Sequence, residues 1–226
     1  MKKVRFLNGL LTGATVLAMV FMFSSCKKDD VDEDGSARIK IIHASSTAGE
    51  QSFYLANNRV RADLTYGSET EYILTNSGNR LTTAFKNESG VTFASGTHDF
   101  RNDRNYTDFL AGYGQNARIE VEEDNLSAPA NGQAKVRFVH LSDAAPQNVD
   151  IKLSTGETLA ANLSRNNITS FNEIGAGVKL VNVFAAGGAE SLGSFDLENF
   201  AAGKIYTVYI TGAASGNIQI RKATHN

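Results

Sequence analysis

The chain has no tryptophan, two prolines and a single cysteine. One cysteine excludes an intramolecular disulfide, so each domain must be held by buried apolar surface. The absence of tryptophan removes the largest aromatic platform on which a sugar ring could stack. Two prolines exclude a proline-rich linker, while 20 glycines supply turns. No excess of positive charge is present either. Taking Lys2, Lys3 and Arg5 from the 22 basic residues leaves 19 against 24 acidic ones. That balance lacks the basic footprint a nucleic-acid partner demands. Nor is any apolar run long enough to span a membrane permanently. Leu10–Phe23 is fourteen residues, and a helix of that length covers ~21 Å of a ~30 Å hydrocarbon core.

What is present begins with an address. The basic residues Lys2, Lys3 and Arg5 precede the Leu10–Phe23 stretch, and small residues follow before the only cysteine. This is the layout of a secretory signal over residues 1–25. Phe23-Ser24-Ser25-Cys26 resembles the lipobox of bacterial lipoproteins, with Phe23 in place of the usual Leu. The resemblance implies that Cys26 becomes the lipidated first residue. Two or three acyl chains, at about 0.8 kcal/mol per buried methylene, make an effectively permanent anchor. Residues 26–36 are then a charged tether too poor in apolar groups to order itself. Lys28 followed by Asp29, Asp30, Asp32, Glu33 and Asp34 resembles the surface-export signal of Bacteroidota lipoproteins. It implies an outer-membrane protein facing the cell exterior.

The remainder is self-similar. Ala37-Arg38-Ile39-Lys40-Ile41-Ile42-His43-Ala44-Ser45 matches Ala134-Lys135-Val136-Arg137-Phe138-Val139-His140-Leu141-Ser142. Further on, Leu64, Tyr72, Gly78, Leu81 and Phe85 align with Leu163, Phe171, Gly177, Leu180 and Phe184. Tyr106–Gly112 aligns with Tyr206–Gly212, and Ile119-Glu120-Val121 with Ile218-Gln219-Ile220. Copies of this size are domains in tandem. The boundaries read as 37–125 for the first, 126–133 for a linker and 134–226 for the second. Within each copy the apolar period is two. Val136, Phe138 and His140 share one strand face while Lys135 and Arg137 take the other, and Ile39, Ile41 and His43 repeat the pattern. Glycine-bearing turns separate runs of this kind every 8 to 12 residues, and no window sustains helical spacing. The expected fold is all-β: two tandem antiparallel sandwiches of immunoglobulin-like type, each able to fold alone.

The start of the second copy, His140-Leu141-Ser142-Asp143-Ala144-Ala145-Pro146 followed by Val149-Asp150-Ile151, resembles the family catalogued as domain of unknown function 4397. Members carry such a loop after the first strand and often occur in tandem in secreted or lipid-anchored bacterial proteins. The first copy keeps His43-Ala44-Ser45 but has Ser46-Thr47-Ala48-Gly49-Glu50 where the Asp and Pro would stand. The resemblance implies architecture and carries no assigned activity.

Chemistry is sparse. His140, Ser142 and Asp143 are too close in sequence to form a nucleophile, base and orienter on an extended strand. Both His43 and His140 fall on apolar strand faces, so His43, Ser45, His140, Ser142, Asp143 and Pro146 read as a structural motif that pins the following loop. The four histidines have no metal-ligand spacing, and no phosphate-cradling loop or nucleophile elbow occurs. No cofactor or metal is expected. Tyr66 and Tyr113, each beside glycine, are the candidate ligand contacts. The expected function is a non-enzymatic module of the cell envelope that binds a glycan or an envelope protein or serves a structural role. Glycan capture for a polysaccharide-uptake system is the alternative, with a hydrolase a distant third. Replacing Cys26 by Ala should abolish acyl labelling and detergent partitioning; a variant that still takes up labelled palmitate would reject this anchor.

Overall fold

The computed structural model describes residues 35–213 and 218–226. Its first eight strands are β1 (Ser36–His43), β2 (Gln51–Leu55), β3 (Asn58–Leu64), β4 (Ile73–Asn76), β5 (Gly78–Lys86), β6 (Thr92–Phe100), β7 (Asn105–Ala111) and β8 (Arg118–Glu123). The next eight are β9 (Gln133–His140), β10 (Asn148–Leu153), β11 (Thr158–Ser164), β12 (Asn172–Gly175), β13 (Gly177–Ala185), β14 (Ser191–Phe200), β15 (Ile205–Thr211) and β16 (Gln219–Thr224). They build four sheets of equal size. Sheets β4-β1-β7-β8 and β3-β2-β5-β6 form one sandwich, and β12-β9-β15-β16 and β11-β10-β13-β14 form the other with the same strand order. The all-β tandem architecture is therefore present. One pair in each sandwich is parallel, β1 with β7 and β9 with β15. The chain visits the opposite sheet between these strands, so nothing forces a hairpin on them.

Each sandwich encloses its own core. Ile39, Ile41, Phe53, Phe85, Phe100 and Leu110 fill the first, and Val136, Phe138, Ile151, Val183, Phe200 and Val208 the second. The repeat register slips in one place. Leu55 pairs with Thr83 and Leu153 with Val181, so Thr83 and Phe85 correspond to Val181 and Val183. The alignment of Leu81 and Phe85 with Leu180 and Phe184 is corrected by one residue: Leu180 is exposed, and Phe184 is half-buried beneath the Lys152 ammonium. Its cause is a bulge that lies in β5 in the first copy and in β14 in the second.

The faces of β1 and β9 that carry lysine and arginine do not meet solvent. Ile42, Ala44, Phe109 and Ala111 from the first sandwich form one apolar cluster with Val139, Leu141, Tyr209 and Ala223 from the second. Sheets β4-β1-β7-β8 and β12-β9-β15-β16 thus bury both faces. This explains the nearly unbroken burial of β1, β7, β9 and β15. It also buries Lys135 and Arg137, which share the second face of β9. The Arg137 side chain is 1% exposed, and Lys40 at the equivalent position of β1 is also buried.

Buried charge needs partners, and Arg137 has them. It ion-pairs with Asp124 and donates from Nε to Thr207 Oγ1 at 2.8 Å. Tyr72 Oη donates its only proton to Asp124 Oδ2 at 2.6 Å, and Thr107 Oγ1 donates to the same oxygen at 2.7 Å. Tyr72 Oη therefore accepts from His225 Nδ1–H at 2.6 Å, which leaves His225 Nε2 to accept from Thr207 Oγ1 at 2.7 Å. The ring closes with every proton assigned. Tyr72, Thr107 and Asp124 come from the first copy; Arg137, Thr207 and His225 come from the second. Asp124 and His225 occupy equivalent places, each donating its backbone N–H to the residue that opens β7 or β15. The copies have diverged to complement each other, which undercuts the expectation that each folds alone.

The neutral His225 that this ring requires is matched by its pKa, pushed down to about 4 by burial despite the Asp124 carboxylate. Between about 6.5 and 4 the unfolded chain binds a proton at His225 that the fold does not. Stability from this group is therefore complete above the upper value and falls as pH drops through the window. The free-energy gap between wild type and His225→Gln should shrink by about 2 kcal/mol between pH 7 and pH 4.5. A gap in denaturant unfolding that stays constant over this range would refute a neutral, buried His225.

Candidate functional site

The motif loop after β9 is bound at nearly every polar atom. His140 Nε2–H donates to Pro146 O at 2.9 Å, and Ser142 N donates to His140 Nδ1 at 3.3 Å. With both nitrogens engaged, the ring is a neutral clasp; burial lowers its pKa, and the Arg165 and Arg118 charges act in the same direction. Ser142 Oγ accepts from the backbone of Ala144 and Ala145, both at 3.1 Å. In the first copy His43 Nε2–H donates to Gly49 O at 2.8 Å and Ser45 Oγ to Gly112 O at 2.5 Å. The loop of equal length thus repeats the clasp without Asp or Pro, although His43 Nδ1 has no hydrogen-bond partner among the described residues.

Asp143 is different. Its carboxylate is 6% exposed and lies 3.5 Å from Arg118 Nη1 and 3.9 Å from Arg165 Nη1. Arg118 opens β8 of the first sandwich, and Arg165 follows β11 of the second. Arg118 also donates to Asn116 O at 3.0 Å and to Leu141 O at 3.2 Å, while Arg165 Nη2 donates to Ala145 O at 2.7 Å. These groups, with Asn116, Gln147 and Asn166, line a polar pocket of about 270 Å³ across the seam. Gly112 makes the turn possible: its φ is +75°, and a Cβ there would stand 2.0 Å from Asn116 O.

The two tyrosines behave unequally. Tyr66 donates to Gln219 Oε1 at 2.8 Å, and the Arg221 guanidinium lies 4.5 Å from its ring centre. It is a strut between the copies. Tyr113 is half-buried beside the turn Gly114–Asn116, and its hydroxyl has no hydrogen bond among the described residues. Cys26, Lys28, Asp29, Asp30, Asp32, Glu33 and Asp34 lie outside the described residues.

A second concavity opens between β3 and β4. It holds about 600 Å³ over an aliphatic floor of Leu55, Val60, Ile73 and Leu81, with Asn58, Asn76 and Asn79 at its margin. The chain enters the fold beside it, where Ser77 N donates to Gly35 O at 3.1 Å.

Sequence reasoning missed Arg118, Arg165 and the ring residues, because their partners come from distant segments. The one available signal was the basic residue at Lys40 and Arg137 within otherwise apolar strands.

No curated protein matches the chain. Among solved structures it is similar to a family 26 carbohydrate-binding module of Eubacterium rectale in complex with maltoheptaose, at 11% identity and a TM-score of 0.28, covering 82% of this chain and 95% of that one. A protein of Bacteroides uniformis named for cell adhesion is similar at 9% identity and a TM-score of 0.28, covering 85% and 99%. The TIE protein of Bacillus anthracis is similar at 9% identity and a TM-score of 0.24, covering 79% and 34%. Likeness at these scores carries no functional argument. The family match is specific. It runs over residues 37–152, through the first sandwich, the joining segment and the whole clasp loop from His140 to Pro146. The chain belongs to the family described as Domain of unknown function (DUF4397).

Proposed function

We propose that the protein is a non-enzymatic binding module of the cell envelope, anchored in the outer membrane through lipidated Cys26 and facing the exterior. The observation that carries the binding reading is the groove of about 600 Å³ between β3 and β4. An apolar floor supplies contact area, and amide side chains at the margin supply direction, the usual division of labour in a ligand site. The residues that resemble catalytic groups support the same reading. His140 has no free nitrogen to serve as a base, and Ser142 Oγ is held by two backbone N–H groups. The segments 37–125 and 134–226 act as one body.

A second reading is glycan capture for a polysaccharide-uptake system. It is favoured by the asparagine margin, since each amide offers a donor and an acceptor to a hydroxyl pair. Asn58 and Asn79 are exposed and outside the core, so replacing both by Ala should leave the melting temperature unchanged. On a glycan array the full chain should bind at least one oligosaccharide, and the double variant should lose that signal by ~10-fold or more. Binding that survives the double substitution would move the site elsewhere. An array with no signal would end the glycan reading and leave an envelope protein as the partner.

A further inference from the structure

We propose that the seam pocket between Arg118 and Arg165 is a second binding site, one that takes a single sugar ring bearing a carboxylate. It stands on a different cavity from the groove and does not depend on the groove reading. Its volume of about 270 Å³ accommodates one ring with little to spare.

The charge that a ligand can reach there is positive. Arg165 is 28% exposed and Arg118 18%, whereas Asp143 is 6% exposed. Asp143 Oδ2 is fully buried and has no partner among the described residues. The Asp143 carboxylate lines the pocket but is the least exposed of the three charges, so the two partly exposed guanidinium groups outweigh it. At 3.5 and 3.9 Å it is beyond hydrogen-bond reach of either.

Arg118 is the more committed of the two. It bonds Asn116 O and Leu141 O, and its Nε lies 3.3 Å from Glu120 Oε1, a group outside the pocket lining. Arg165 makes one hydrogen bond among the described residues, to Ala145 O, and its Nη1 carries only the 3.9 Å ion pair with Asp143. A guanidinium fixed at one nitrogen and open at another matches a carboxylate. A ligand ammonium would find in the lining only Asp143, 6% exposed and already ion-paired with both guanidinium groups, which argues against an amino acid. The side-chain amides of Asn116, Gln147 and Asn166 make no hydrogen bonds among the described residues and line the same cavity. Amides are matched by hydroxyls, not by further charge. A carboxylate on a polyhydroxylated ring satisfies both sets.

The test is isothermal titration of the detergent-solubilised full chain with glucuronate, glucose and inorganic sulfate. Glucuronate should saturate with a Kd on the order of 1 mM or tighter, and glucose and sulfate should each bind ~10-fold more weakly or worse. Arg165→Gln should reduce glucuronate affinity by ~10-fold or more. Because Arg165 also ties the loop, Gln147→Leu is the second variant; it should weaken glucuronate several-fold at an unchanged melting temperature. The groove double variant should bind glucuronate normally, so failure of either site is read separately. Absence of glucuronate binding overturns the proposal, as does glucose or sulfate binding equally well. Wild-type affinity in both pocket variants would overturn it too.

Discussion

The pairing of Arg137 with Asp124 is the constraint on which the rest of this structure depends. Both side chains are fully buried at a junction that a separate domain would have exposed to water. Such a pair is weak evidence for net stability, because desolvation offsets most of its attraction. Losing one partner is another matter, since the survivor stays buried and uncompensated at a cost of about 3 to 5 kcal/mol. The ring through Thr207, His225, Tyr72 and Thr107 fixes the geometry and satisfies the remaining donors and acceptors. It is made by neither copy alone. It selects one way of packing the two sandwiches, and the apolar cluster from Ile42 to Ala223 supplies the burial.

Fixing the seam creates the pocket. Arg118 and Arg165 belong to different copies, and Asp143 ion-pairs with both across the seam. The clasp of His140 on Pro146 sets the loop that carries Asp143. In the first copy His43 clasps Gly49 in the same way, but no aspartate follows, so the repeated fold yields one such pocket and not a matched pair. Divergence also reached the core. Asp108 is wholly buried in the first sandwich without a hydrogen-bond partner among the described residues, and burial raises its pKa well above the ordinary carboxylate value. Its counterpart is Val208, and Thr83, also orphaned, corresponds to Val181. The second copy thus has the more fully apolar core, and the first carries a standing energetic cost.

Much of the fold was legible because strand parity and glycine turns are local signals. Val136, Phe138 and His140 alternate with Lys135 and Arg137, and the structure keeps that alternation. Parity assigns residues to two faces but does not say what lies beyond each face. Lysine and arginine occupy the second face, and a second sheet lies beyond it. The slip at Leu180 and Phe184 has a similar origin, since a bulge moved between strands leaves the spacing of apolar residues nearly unchanged. Tyr66 stands as a candidate ligand contact in the sequence because its partners, Gln219 and Arg221, lie about 150 residues away. Arg118 and Arg165 were invisible for the same reason: a pocket built by tertiary packing has no motif.

The ring and the apolar cluster tie the two sandwiches into one folding unit closed by the seam. Expressing residues 36–125 and 133–226 as separate chains tests it most directly. Neither alone should give a cooperative thermal melt, because each would expose its share of the apolar cluster and strand a buried charge. Two soluble halves, each melting cooperatively near the temperature of the full chain, would contradict it.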